Sequence, residues 1–302
     1  MSAILIPVDF SDASRNAYRF GLHLAENLGH DVILTHYYSG SIDPRAELSI
    51  GRDGTIGGGY DDRLREFAYS GDLLPGAVAV EPPASVAVRY ETDVSLTPAV
   101  AIARRARGAD IALVVMAPRS TPSLLGRWLG STATTVSESC ERPVLIVPAE
   151  ARYRPVREIV IADNGDTDRS YPLSFLDGFP AVRAARLHFV RVHPEANGPM
   201  ARYAPWRSVL PTATQSFPTF DRFTTVDVAD RDISRGLVAY AYRSGADLLV
   251  ILNRRRPWWR ALLQITLTQE LALRSRLPVL VLHAAEPEPT AETAGKLTEK
   301  QA

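Results

Sequence analysis

Lysine is nearly absent from this 302-residue chain: only Lys296 and Lys300 occur, close to the carboxyl terminus, and every other basic residue is arginine. A P-loop kinase or ATPase sets a lysine on the β/γ-phosphates, a protein kinase needs one on its third strand, and pyridoxal chemistry needs one for a Schiff base. None of these can be built from the body of the chain. Cysteine is scarcer still. Cys140 alone excludes an intramolecular disulfide framework, and no CxxC or Cys/His cluster points to zinc, so a reducing compartment is the simpler reading. Net charge is missing as well: 34 basic residues meet 34 acidic ones, which leaves no bulk attraction to nucleic acid or anionic membrane. No segment reaches the ~20 uninterrupted apolar residues of a membrane span. The stretch from Met1 to Asp9 has no basic region followed by a long apolar run. HExxH and GxSxG motifs do not occur. The expectation is a soluble cytoplasmic protein with no metal site of its own and neither nucleic acid nor membrane as partner.

What is present is material for packed cores, with 46% hydrophobic and 23% charged residues in a length that suggests two domains of about 150 residues. The two look like one domain written twice. Ile4-Leu5-Ile6-Pro7-Val8-Asp9 is echoed by Glu158-Ile159-Val160-Ile161-Ala162-Asp163, each an apolar run ending in aspartate at a turn. Gly108-Ala109-Asp110 with its apolar continuation to Met116 matches Gly245-Ala246-Asp247 continuing to Leu252, and Pro143 to Val147 matches Pro278 to Leu282. Three blocks in the same order indicate a duplication. Within the first half, residues 13–28 put Ala17, Gly21, Leu24 and Leu28 on one helical face, with Ser11 or Asp12 as cap and Gly29 as stop. Strands are expected at about 32–37, 85–90, 111–116 and 143–147, and helices near 97–107 and 131–140. Strands apolar throughout are buried on both faces, and their alternation with helices implies crossovers, hence a parallel α/β sheet.

The remaining text reads as loops and tails. Residues 40–62, with glycines at 51, 54, 57, 58 and 59, form an insertion between the second strand and its helix. It is either a mobile surface loop or a lid over a ligand. Residues 148–157 read as the interdomain linker, 194–219 as a proline-punctuated excursion, and 285–302 as a disordered tail. In the run Arg254-Arg255-Arg256-Pro257-Trp258-Trp259-Arg260, the bland reading is a solvated turn whose tryptophans pack on the neighbouring domain. His36 and His193 close the second strand of each half and could border a pocket, while Cys140 reads as core.

The most informative text runs Met116-Ala117-Pro118-Arg119-Ser120, nine residues, Gly130-Ser131-Thr132, a helix, then Pro143 to Val147. Here the sequence resembles the universal stress protein family, whose nucleotide-binding members place Gly-x-x-Gly, nine residues and Gly-Ser/Thr after the fourth strand. Positions 117, 120 and 130 stand where that pattern has its glycines, and Val8-Asp9-Phe10-Ser11 before an alanine-rich amphipathic helix is similar to the family's opening. The resemblance covers both halves. It implies two tandem open parallel five-stranded sheets flanked by helices, Rossmann-like with strand order 3-2-1-4-5, packed as an intramolecular pseudo-dimer. The domains would be residues 1–148 and 156–284. It also implies a role in stress adaptation, with ATP or another adenine nucleotide as ligand, Mg²⁺ accompanying it, and contacts to a protein partner or to a second copy of the chain.

In such a sheet a ligand sits beyond the carboxyl ends of strands one and four, where connections leave to opposite faces. The residues assigned to it are Pro7, Val8, Asp9, Met116, Ala117, Arg119, Ser120, Gly130, Ser131 and Thr132, with Arg127 as a further cation. Asp9 can accept hydrogen bonds from adenosine, and Gly130, Ser131 and Thr132 offer amides and hydroxyls at a helix N-terminus suited to phosphate. Two readings stand for each: Asp9 is also a natural turn-forming or capping carboxylate, and Gly130-Ser131 an ordinary helix start with a serine cap. Ala117 and Ser120 replace two glycines, and Pro118 removes a backbone donor. In the second half, Ile265 and Thr266 fall at the positions of Gly130 and Ser131, and no glycine remains in the loop. That half is expected to be degenerate and structural. Catalysis is not expected beyond weak ATP hydrolysis, and the alternative to a nucleotide site is a nucleotide-independent protein-interaction module.

Overall fold

A computed structural model describes residues 2–38, 58–69, 81–118, 131–163, 175–176, 179, 182–193, 222–253 and 277–283. In the first half the strands are β1 (Ala3–Pro7), β2 (Asp31–Tyr38), β3 (Val88–Val94), β4 (Ile111–Met116) and β5 (Val144–Ile146). They alternate with α1 (Asp12–Leu28), α2 (Gly58–Tyr69), α3 (Pro98–Ala106) and α4 (Ser131–Ser139). In the second half β6 (Glu158–Asp163), β7 (Arg186–His193), β8 (Phe223–Ala229), β9 (Leu248–Asn253) and β10 (Val279–His283) are described, with α5 (Ile233–Arg243) between β8 and β9.

The strands form one ten-stranded sheet in the order β3-β2-β1-β4-β5-β10-β9-β6-β7-β8. Read outward from the middle, the second half repeats the 3-2-1-4-5 order of the first. Every pairing within a half is parallel. The two five-stranded sheets join where β5 and β10 pair antiparallel, with Val144, Leu145 and Ile146 opposite Val281, Leu280 and Val279. The strands are apolar throughout because both faces are covered. On β1, Ile4 and Ile6 enter one core with α1 and α2, while Ala3 and Leu5 enter the other with α3 and α4. Each core runs across both halves, the first from Leu24 to Leu248 and Leu280, the second from Ile102 to Leu249 and Val281.

α1 follows the expected capping. Ser11 Oγ accepts from Ser14 N at 3.2 Å, and Gly29 ends the helix at φ 66°, a left-handed conformation that glycine adopts without penalty. The segment between β5 and β6 is held from both sides. Asn16 Nδ2 donates to the carbonyls of Pro148 and Ala151 at 2.8 and 2.9 Å, and Arg154 pairs with Asp247 at 2.7 Å.

Two elements depart from expectation. β3 begins at Val88 rather than near 85, because a turn closed by Val86 N on the Pro83 carbonyl precedes it. It continues through Glu91, Thr92 and Asp93, polar residues permitted on an edge strand. Residues 58–62, expected within the glycine-rich loop, open α2 instead, since Leu64, Phe67 and Ala68 bury one helical face and that burial outweighs the low helix propensity of Gly58 and Gly59. The glycines at 51, 54 and 57, the Arg/Trp run 254–260, residues 194–219 and the tail 285–302 lie outside the described residues.

The continuous cores predict that both halves unfold together. Leu145→Ala, at the fully buried middle of the β5–β10 joint, should cost about 2–5 kcal/mol in urea denaturation. The transition should remain single when followed by both tryptophan fluorescence and far-UV circular dichroism.

Candidate functional site

The chain leaves β1 to the α1 face and leaves β4 to the α3/α4 face, so among the described residues no connection covers the carboxyl ends of these paired strands. A cavity of about 150 Å³ lies there. Pro7, Val8 and Asp9 reach it from the end of β1, Met116 and Ala117 from the end of β4, and Thr132 from the first turn of α4. These residues come from three separate stretches of the sequence. Ser131 opens α4 beside them. Arg119, Ser120, Arg127 and Gly130 lie outside the described residues.

Five residues complete the described lining without having been singled out: Ser14, Tyr37, Pro98, Ile102 and Ala133. Pro98 is the first residue of α3, and Ser14 lies in the first turn of α1. Three helix N-termini, those of α1, α3 and α4, therefore converge on the carboxyl edge of the sheet. Each carries roughly +0.5 charge, which makes this the anion-favouring end of the domain. Pro98 has a sequence signal, as proline favours the first helical turn. Its approach to the cavity depends on how α3 packs, which no local pattern reveals.

Asp9 is exposed, and its Oδ1 accepts from Ser11 N at 3.1 Å and from Ser11 Oγ at 2.5 Å. The turn-forming role is thus present, and Asp9 orients the serine that caps α1. Oδ2 remains as a carboxylate acceptor at the cavity. Val8 is more constrained: its N–H donates to the Thr35 carbonyl at 2.8 Å, and its carbonyl lies 2.8 Å from His36 Nδ1. A carbonyl can only accept, so Nδ1 carries the proton. Val8 accordingly offers the cavity an apolar side chain and one carbonyl lone pair, but no amide.

His36 also lines the cavity, as the sequence reading allowed. Burial pushes its pKa below the ordinary range, with the Arg63 charge acting in the same direction against the Val8 carbonyl and Asp9. The ring sits in an aromatic cluster, with centroids 4.5 Å from Phe10 and 5.2 Å from Tyr60. Phe10 takes φ 62°, a left-handed conformation costly for a bulky side chain. Edge contact with Phe67 and the Arg63 guanidinium 4.2 Å over its ring hold it there. Nothing in the sequence marks this strain.

The second half differs at the corresponding place. Asp163 ends β6 as Asp9 follows β1, but it is buried, and Arg191 donates to its Oδ2 from Nε at 3.0 Å and from an Nη at 2.7 Å. By register Arg191 occupies the position of His36 in the first half. His193 ends β7. An arginine inside the apolar run Leu187–Val192 is the signal for a buried carboxylate partner, since a lone buried charge is prohibitively costly.

With this geometry in view, comparison with known proteins decides the family. The model of the universal stress protein family matches residues 1–148. Residues 1–148 belong to the universal stress protein family. A universal stress protein from Archaeoglobus fulgidus DSM 4304 superposes with a TM-score of 0.59 at 14% identity, over 95% of this chain and 97% of that one. A protein of unknown function from Pseudomonas aeruginosa PAO1 does so with 0.50 at 17% identity, over 99% and 96%. At such identities the likeness speaks to the fold alone. No curated protein matches the chain. Among the described residues, no helix is long and apolar enough to cross a membrane, and no group of three or more His, Cys, Asp or Glu could hold a metal ion.

The lowered pKa of His36 has a definite sign in stability. Between the unfolded value near 6.5 and the lower folded value, the unfolded chain binds more protons, so stability should fall as pH drops through that window. His283 is lowered by burial in the same way and adds to the slope. Urea midpoints measured from pH 7.5 to 4.5 should show His36→Gln with a shallower decline than wild type, and a double variant with His283→Gln shallower still. Ser11→Ala should cost about 1 kcal/mol through loss of the α1 cap.

Proposed function

We propose that this universal stress protein is a non-enzymatic, stress-related binding protein whose amino-terminal half holds ATP or another adenine nucleotide between β1 and β4. Its carboxyl-terminal half then serves as scaffold. One observation carries the reading: Pro7, Val8 and Asp9, Met116 and Ala117, and Thr132 line a common cavity where three helix N-termini converge. The residues suit the group. Asp9 Oδ2 can accept from ribose hydroxyls or the adenine amino group, Val8 and Met116 supply apolar contact, and the α4 start favours phosphate. The described cavity, about 150 Å³, is smaller than the ~300–1,000 Å³ of typical ligand sites and corresponds to one end of a nucleotide. The phosphate end would rest on Ser120, Gly130 and Ser131, with Arg119 alongside. Mg²⁺ would arrive with the phosphates. In the second half the Arg191 pair occupies the carboxylate that a nucleoside would need, which supports a structural role for residues 156–284. A cytoplasmic location, an intramolecular pseudo-dimer and further pairing between copies belong to the same reading.

The alternative, a nucleotide-independent interaction module, draws on Pro118, which has no amide, and on Val8, whose amide is already engaged. Isothermal titration with ATP and Mg²⁺ separates the two. One site per chain is expected, weakened at least tenfold by Asp9→Ala and by Gly130→Asp, about 1.4 kcal/mol or more. Equal weak heats in all three proteins would favour the interaction module. Phosphate release should stay at the buffer rate.

A further inference from the structure

At the opposite, amino-terminal edge of the sheet, the second half carries an open groove of about 580 Å³ lined by Pro155, Arg157, Glu158, Ala184, Arg186 and Arg222. Its three arginines stand at the heads of three adjacent strands: Arg157 just before β6, Arg186 opening β7 and Arg222 just before β8. Their backbones are hydrogen-bonded neighbours, since Arg186 N donates to the Arg157 carbonyl at 2.7 Å and Leu187 N to that of Arg222 at 2.9 Å. Adjacent strands lie about 4.8 Å apart, so three exposed guanidinium stems rise from one edge within roughly 10 Å.

Elsewhere arginines meet carboxylates, as Arg105 does with Glu91 and Asp110, Arg154 with Asp247, and Arg235 with Asp230. In the groove, no carboxylate among the described residues pairs with Arg157 or Arg222, and Arg186 has only Glu158 Oε1 at 3.9 Å. The other oxygen of Glu158 is held by His188 Nε2 at 2.7 Å, and His188 Nδ1 in turn meets Tyr240 Oη at 2.8 Å. Three like charges facing one acid leave an excess of positive charge in a chain that is neutral overall. Among the described residues the lining has no aromatic ring and no large aliphatic side chain, so they offer nothing to grip a base or an apolar body. It recognises charge, and guanidinium forks match phosphate oxygens in pairs.

We propose that this groove is a second ligand site, specific for a compact polyphosphate and independent of the Asp9 cavity. The test is isothermal titration of the full chain with inorganic tripolyphosphate at low salt and at 0.15 M salt. One site per chain is expected, weakened at the higher salt and at least tenfold weaker in Arg157→Ala/Arg222→Ala. Asp9→Ala should leave it unchanged, and Glu158→Gln, which keeps an acceptor for His188 while removing the repelling charge, should tighten it severalfold. Because the arginines are exposed, melting curves of these variants should match wild type, and Arg186→Ala serves as a second substitution at the same groove. The proposal is overturned if tripolyphosphate gives no heat, if the double variant binds it as wild type does, or if Asp9→Ala abolishes the binding.

Discussion

The rest of the structure depends on the rule that a parallel strand can be reached only by crossing a face of the sheet. Between β1 and β4 the crossings diverge, α1 covering one face and α3 and α4 the other, and among the described residues the strand ends between them stay open. Everything gathered at the candidate site follows from that opening. The end of β1 delivers Asp9, the end of β4 delivers Met116 and Ala117, and helix starts point inward because each helix begins at the carboxyl edge it has just left. A concave, amide-rich, anion-favouring corner is what this topology makes whether or not a ligand uses it. In the proposed nucleotide site, recognition rests on the few side chains added to it, Asp9, His36, Tyr37 and Thr132.

The two halves meet through three antiparallel residue pairs between β5 and β10. So short a ladder would join them weakly by hydrogen bonds alone. Leu145 and Leu280 face each other in one core, while Val144, Ile146, Val279 and Val281 fill the other, so the joint is mainly a buried apolar contact continuous with both cores. That gives the second half a physical role without a ligand at its own strand ends. There, Arg191 and Asp163 form a buried pair where the first half presents a cavity. The carboxylate after the first strand of the first half is exposed, whereas the one that ends the first strand of the second half is paired internally.

Much of this could be read from the amino acids. Strands buried on both faces are written as unbroken apolar runs, which is why β1, β4, β5, β9 and β10 stood out, and why matching Pro143 to Pro278 located the two strands that pair at the centre. The Asp9 and Thr132 ends of the site were legible because motif spacing carries them. β3 was misplaced because an edge strand alternates polar residues, and α2 was shortened because its glycines outweighed the later Leu64 and Phe67 in a local reading. The left-handed Phe10, the approach of Pro98 and Ile102, and the Arg191–Asp163 pair share a different cause. Each is set by contacts between segments distant in sequence, and no window of neighbouring residues contains them.

The claim that the first half alone offers the ligand corner is tested most directly by histidine side-chain NMR during addition of ATP. His36 lines the cavity, whereas His193 ends the equivalent strand of the second half. The account predicts that the His36 resonances shift with saturable dependence on ATP, that His193 does not respond, and that Asp9→Ala removes most of the His36 response. Shifts centred on His193, or none at His36 under saturating ATP, would contradict it.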